Sequence, residues 1–308
     1  MSDFELMKIN SRDIFNNLTI ESLKYREGKD GRHTKTSKSL SIKLLKKLFG
    51  NEGIQVGDRI EKCSEGNYCS SIYCISCSKR ISHRMYKRWL KEYSKGFKLY
   101  ATTVLSGMCL RNKDSIQDWL KQFRSKIELC RKYNSDFYID GWIEIEVIDT
   151  WKLGGIVTND VLVERKIKYL HNCLKEMDVV GDRYYLLPHF HGIIRGLTMK
   201  TYRELFKRYF TRSREVEIKE VGFKNQSVEV GLKTWGNYIM KISTPDKSYR
   251  KDLYTFKTTF KSENNYIDDY FNEDNSYRIP EVVISEMMLL HDIVKGRNNK
   301  GFLIRSGK

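Results

Sequence analysis

His189, Phe190 and His191 set two imidazoles two positions apart in the run YLLPHFHGIIRG, a stretch whose composition reads as a β-strand. Side chains alternate faces along a strand, so both imidazoles point one way and Phe190 points the other. At about 3.3 Å per residue their Cβ atoms stand roughly 6.5 Å apart, close enough to grip one metal ion. A third ligand from a neighbouring strand would leave open positions for a substrate oxygen, the arrangement of metal-assisted phosphodiester chemistry. Gly192 follows at once and is expected to leave room beside the ligands. An acidic partner is at hand in GWIEIEVID, where Glu144 and Glu146 share one face while Ile143, Ile145 and Val147 take the other. Strand parity admits either glutamate. A carboxylate with two imidazoles is a mixed nitrogen–oxygen set suited to Mn²⁺, or to Mg²⁺ where that ion is abundant.

Two further constellations carry chemistry. Tyr238 and Lys241 lie three apart in TWGNYIMKIS, which puts them on one side of a short helix ended by Pro245. A phenol is a poor nucleophile near neutrality, but a nearby cation or metal favours the phenolate and helps neutralise charge on a phosphate. Cys63, Cys69, Cys74 and Cys77 follow the spacing C-x5-C-x4-C-x2-C, which suits a closed tetrahedral Zn²⁺ site of structural type. Lys79, Arg80, Arg84, Lys87 and Arg88 come directly after it, so a metal-stapled module would present cations to DNA phosphates. Cys109, Cys130 and Cys173 read as buried apolar residues.

The elements that must position these groups are legible in outline. Residues 1–60 form a basic N-terminal segment in which TSKSLSIKLLKKLFG has helical spacing and Gly50 is a plausible stop. Residues 61–95 form the cysteine-rich module, with a basic helix in ISHRMYKRWLKEY. Residues 96–245 read as one catalytic domain. In it come a strand in FKLYATTVLSG, an amphipathic helix capped by Asp114 or Ser115, and the glutamate strand. An inserted helix in VLVERKIKYLHNCLKEM, the histidine strand at 184–195 and a very basic helix, MKTYRELFKRYFTRSR, follow. REVEIKEVG and SVEVGL alternate as two more strands. Residues 246–308 read as an appended polar region with one apolar helix, IPEVVISEMMLLHDIV. This order predicts an α+β fold: a central antiparallel sheet with helices on one face, preceded by the zinc-binding module.

Bulk properties narrow the partner. The chain has 308 residues with 56 basic and 39 acidic side chains, a net charge of +17, an excess that marks a polyanion such as nucleic acid. Its 19 tyrosines and 5 tryptophans supply faces that can stack on unpaired bases. No apolar run is long enough for a transmembrane helix, and the polar start MSDFELMKINSRD is not a secretory signal. Seven cysteines, four of them clustered, fit a reducing, cytoplasmic compartment better than a disulfide framework. No G-x-x-x-x-G-K-[ST] loop occurs, so neither helicase nor ATPase activity is expected.

Taken in order, the cysteine-rich segment, the strand LYATTVL, the Glu146-Val147 pair, the His189-Phe190-His191 strand and the Tyr238-x-x-Lys241 helix resemble the HUH endonuclease superfamily. More narrowly, they resemble the replication initiators of rolling-circle plasmids. The resemblance spans roughly residues 60–245. It implies a nicking domain in which His189, His191 and Glu146 hold Mn²⁺ or Mg²⁺, and Tyr238 becomes joined to the 5′-phosphate of single-stranded origin DNA. Lys241 would orient or neutralise the phosphate, the freed 3′-hydroxyl would prime a host polymerase, and a host helicase would unwind. Two positions depart from some relatives: Thr234 stands where a terminating carboxylate can lie one turn before the nucleophile, and Ile242 stands where a second tyrosine can follow. The competing readings are a mobilisation relaxase or single-strand transposase with the same chemistry, and a non-catalytic zinc-containing DNA-binding regulator.

Overall fold

The computed structural model describes residues 35–150, 169–170, 172–173, 176, 184–212, 215–222, 227–241, 281–295 and 301–307. The inserted helix expected at 161–177 and the polar stretch at 246–280 therefore fall largely or wholly outside the described residues.

Among the described residues, three helices come first: α1 (Lys35–Leu48), α2 (Gly50–Glu61) and α3 (Ile75–Ser94). Gly50 does end the first helix, with a left-handed φ of +54° at the break. Next come β1 (Leu99–Leu105), α4 (Lys113–Tyr133), β2 (Tyr138–Asp149) and β3 (Tyr184–Arg195). The chain continues with α5 (Met199–Tyr209), β4 (Val216–Glu220), α6 (Val228–Lys241), α7 (Glu281–Lys295) and β5 (Leu303–Ser306). The fold is mixed α+β. Among the described residues, five strands make one sheet in the order β4-β1-β3-β2-β5, with every neighbouring pair antiparallel.

The histidine strand is the middle strand, and all of its residues are buried. A strand buried on both sides needs a layer on each, and this corrects the expectation of helices on one face. On the Phe190 side, α4 and α5 supply the core. Phe123 stacks on Phe190 at 5.8 Å between centroids, and Phe206 and Phe137 meet edge to face at 6.0 Å. On the histidine side, Trp235 of α6 meets His191, and Trp89 of α3 donates to the buried Asp140 at 2.9 Å.

Local chemistry explains most of the boundaries. Asn112, rather than Asp114 or Ser115, caps α4 by accepting from Ser115 N at 2.8 Å, and Ile116, Trp119, Leu120, Phe123, Ile127 and Cys130 form its buried stripe. Thr198 caps α5 in the same way. SVEVGL is not a strand: Ser227 accepts from Val230 N at 3.3 Å and opens α6. Three alternating residues are too few to outweigh a serine cap followed by Leu232 and Ile239, seven apart and both buried.

The C-terminal residues are likewise not an appendage. β5 pairs with β2 from Ile139↔Ser306 to Trp142↔Leu303. Val283, Met287, Met288, Leu290 and Val294 of α7 lie in the same core cluster as the sheet and the cysteine-rich segment. Arg111 fastens Glu286 of α7 at 2.9 Å, and Arg59 of α2 fastens Asp292.

Candidate metal centre

Inter-strand register brings the ligands together. Directly opposed residues of an antiparallel pair share a face. β3 sets His189 opposite Glu144, His191 opposite Trp142, and, on its other side, His191 opposite Thr103. His189 Nε2 and His191 Nε2 lie 2.8 and 3.0 Å from Glu144 Oε2. The two rings stand 4.6 Å apart and nearly perpendicular, at 84°. Each imidazole is oriented from behind: His189 Nδ1 meets Leu187 O at 3.0 Å, and His191 Nδ1 meets Thr103 Oγ1 at 2.9 Å. Both Nε2 atoms are thereby turned to the carboxylate, which is how ligand histidines are fixed in metal sites.

The third member is Glu144, which corrects the assignment of Glu146. Glu146 keeps the right face but is paired with Leu187, one repeat farther along the strand from the imidazoles. Parity could not separate the two glutamates because both obey it; register does. Glu144, His189 and His191 are each 5% exposed or less. Burial opposes the charge on Glu144, but the imidazoles of His189 and His191 close beside it outweigh burial and hold the carboxyl down at about 2. Glu144 Oε2 makes no well-aligned hydrogen bond despite its short distances to both rings. The three side chains offer ligand atoms within 4.8 Å of one another, aimed at a common point. Two imidazoles and one carboxylate fit a first-row divalent cation such as Mn²⁺.

Gly192 plays a different part from the one expected. It opposes Gly141, and a Cβ on either glycine would strike Phe190 Cζ at 2.4–2.6 Å. The missing side chains make room for the Phe190 ring on the far face, not for a ligand on the metal face.

α6 covers the imidazoles. Trp235 Nε1 donates to Gly192 O at 2.9 Å, and the ring meets His191 edge to face at 5.6 Å. Gly236 faces Ser82 and Trp89 of α3, where an added Cβ would find them at ordinary contact distances of 3.5–3.7 Å. Tyr238 and Lys241 stand on this helix, one and two turns beyond Trp235; their side chains lie outside the described residues. Sequence reasoning passed over Trp235 and Thr103. The available signal was position: Trp235 is one turn before Tyr238, and Thr103 lies in LYATTVL.

The cysteine module forms a second cluster. Sγ–Sγ distances are 3.6 Å for Cys63–Cys77, 3.6 Å for Cys69–Cys77 and 3.5 Å for Cys74–Cys63. Ligands about 2.3 Å from a tetrahedral Zn²⁺ would stand about 3.8 Å apart, so the four sulfurs fit that ion. Hydrogen bonding to Cys74, and then burial, push the Cys69 thiol well above its ordinary value, and burial raises that of Cys77. Four thiolates at this spacing need a cation among them. Lys295 of α7 donates to Cys69 O at 3.2 Å and ties the module to the core. The other three cysteines match the apolar reading: Cys130 and Cys173 are buried, Cys109 is partly so, and burial pushes the Cys109 and Cys130 thiols to about 12.

Among the expected phosphate-binding residues, Lys79, Arg84 and Lys87 are exposed along α3, while the Arg80 guanidinium covers the Tyr68 ring at 3.9 Å. Arg88 does not belong with them. Its guanidinium makes paired 3.0 Å bonds to Asp140, a bidentate commitment to a fully buried carboxylate that holds α3 on the sheet. No helix among the described residues is long and apolar enough to cross a membrane. No protein-family model, curated protein or solved structure matches the chain.

Proposed function

We propose that this protein is a metal-dependent tyrosine strand transferase of the HUH type, which nicks and rejoins single-stranded origin DNA to initiate rolling-circle replication. One observation carries the reading: Glu144, His189 and His191 converge on one point of the sheet face covered by the helix that bears Tyr238. Those three side chains would hold the ion; when bound, it polarises the scissile phosphate and offsets the charge that builds there.

The chain's own groups account for the remaining steps. The Tyr238 phenol oxygen bonds to phosphorus, the P–O3′ bond breaks, and the phenolic proton passes through solvent to the freed 3′-oxygen. The DNA 5′-phosphate stays on the tyrosine as a phosphodiester. The bond energy is conserved for rejoining, so strand transfer needs no nucleotide cofactor. Lys241, one turn beyond Tyr238, neutralises the phosphate, and the exposed Lys79, Arg84 and Lys87 hold the strand on the same side of the sheet. A host helicase and polymerase complete replication, since the chain carries no phosphate-binding loop of its own.

The test is a labelled single-stranded origin oligonucleotide incubated with the protein and Mn²⁺, then resolved in a denaturing gel. A protein–DNA adduct forms with the wild type and is lost in Tyr238→Phe, with oligonucleotide binding retained. An adduct of undiminished yield in that variant contradicts the reading.

A further inference from the structure

The basic helix α5 has no part in the site described above. It lies with α4 on the Phe190 face of the sheet, and Tyr202, Leu205 and Phe206 seat it there. Its outward side carries Lys200, Arg203 and Lys207, all exposed, at spacings of three and four that align them in one stripe. At 1.5 Å per residue the stripe runs for about 10 Å. Several surface cations elsewhere are paired, among them Lys46 with Asp58 and Glu61, Lys98 with Glu220, and Lys219 with Glu217. Among the described residues, none of the three stripe cations forms an ion pair.

Local helix energetics does not account for the stripe. Cations near a helix C-terminus are favoured by the macrodipole, but Lys200 sits in the first turn, where the dipole disfavours it. Beside the stripe, the Arg208 guanidinium lies 4.4 Å from the Tyr133 ring, which is itself 56% exposed. The last turn of α4 adds exposed Arg131 and Lys132.

We propose that this face of α5 is a second nucleic-acid surface, one that takes the backbone of duplex DNA on the side of the sheet opposite the metal centre. A convex helix bearing cations fits a major groove about 12 Å wide. Single strands are instead held in grooves lined with aromatic platforms; here the surface is a convex helix, and the Tyr133 ring beside it is already taken by Arg208. The choice of DNA rests on the proposed function; the demand for a polyanion does not. With duplex on one side and the scissile single strand on the other, the sheet separates recognition of the origin from cutting.

The experiment compares the full chain with a variant carrying Lys200→Gln, Arg203→Gln and Lys207→Gln. A control removes equal charge from α1 and its neighbour through Lys43→Gln, Lys47→Gln and Lys62→Gln, all exposed. Fluorescence anisotropy reads binding of a blunt duplex across a salt series, and the denaturing gel reads adduct formation on a single-stranded oligonucleotide. The α5 variant loses about tenfold or more in duplex affinity, its log–log salt slope falls by about 2 to 3, and its adduct yield is unchanged. The control variant keeps its duplex affinity. Equal losses in both variants overturn the proposal, as does a wild type that forms adduct yet binds no duplex. Loss of binding to phosphatidylserine vesicles with duplex affinity intact also overturns it and assigns the stripe to lipid. A wild type that binds duplex through α5 but forms no adduct speaks against the nicking chemistry alone.

Discussion

Glu144 faces His189 across a single inter-strand pair, whereas Glu146 faces Leu187, and the identity of the third ligand follows from that one step of register. Glu144→Gln should weaken Mn²⁺ binding, read by titration calorimetry, by more than the roughly 10- to 100-fold that outer-sphere partners of a ligand are worth. Glu146→Gln should stay within about tenfold of wild type; the reverse order would reinstate Glu146. A second residue-scale prediction concerns His291 of α7, which stacks on Phe302 at 4.6 Å and takes the edge of Tyr73 at 5.8 Å. Burial, and then the charge of Lys295, hold its imidazole down at about 3. The unfolded chain takes up that proton near pH 6.5, so the stability from a neutral His291 is complete above that pH and drains away as pH falls toward 3. By pH 5 the loss is about 2 kcal/mol. Denaturant unfolding at pH 7 and pH 5 should show this loss in the wild type and a smaller one in His291→Phe; equal losses would mean the ring is not held neutral. At this scale the histidine pair was readable because strand parity needs only neighbouring residues. The same parity puts Gly192 with Phe190 on the far face, and the geometry of that face accounts for the glycine.

At the scale of elements, α6 and the cysteine module do the positioning. α6 is pinned over the imidazoles by Trp235 and packs against α3. The module is joined to α7 through Lys295 and to the core through Cys69, Cys74 and Cys77. Zinc should therefore be part of the folded structure: the purified protein should carry it, and Cys77→Ser should lose both the metal and several degrees of thermal midpoint. A variant that releases its zinc and melts like the wild type would show the cluster to be dispensable. Long helices and strands with a full buried stripe, such as α4 and β2, were legible from periodicity. SVEVGL was not, because its three alternating residues also satisfy a capped helix start. β5 was missed for a different reason. Four residues carry little pattern, and their strand identity comes from pairing with β2, far away in sequence.

Across the whole molecule, exposed cations among the described residues stand on both sides of the sheet: Lys79, Arg84 and Lys87 of α3 on the side of the metal cluster, and Lys200, Arg203 and Lys207 of α5 on the opposite side. The net charge of +17 could not say that these cations divide in this way, because the division depends on which helix packs on which face. The sequence order suggested a sheet covered on one side with an added tail. The buried middle strand and the pairing of β5 instead make a two-sided layer closed by the C-terminal residues. The proposed activity requires a covalent bond between DNA and the helix above the metal cluster. Mass spectrometry of the proteolysed adduct, formed with Mn²⁺ on a single-stranded origin oligonucleotide, locates that bond. The nucleotide should be found on Tyr238 in the wild type and be missing altogether from Glu144→Gln; a nucleotide on any other residue, or an adduct indifferent to Glu144, would contradict the account.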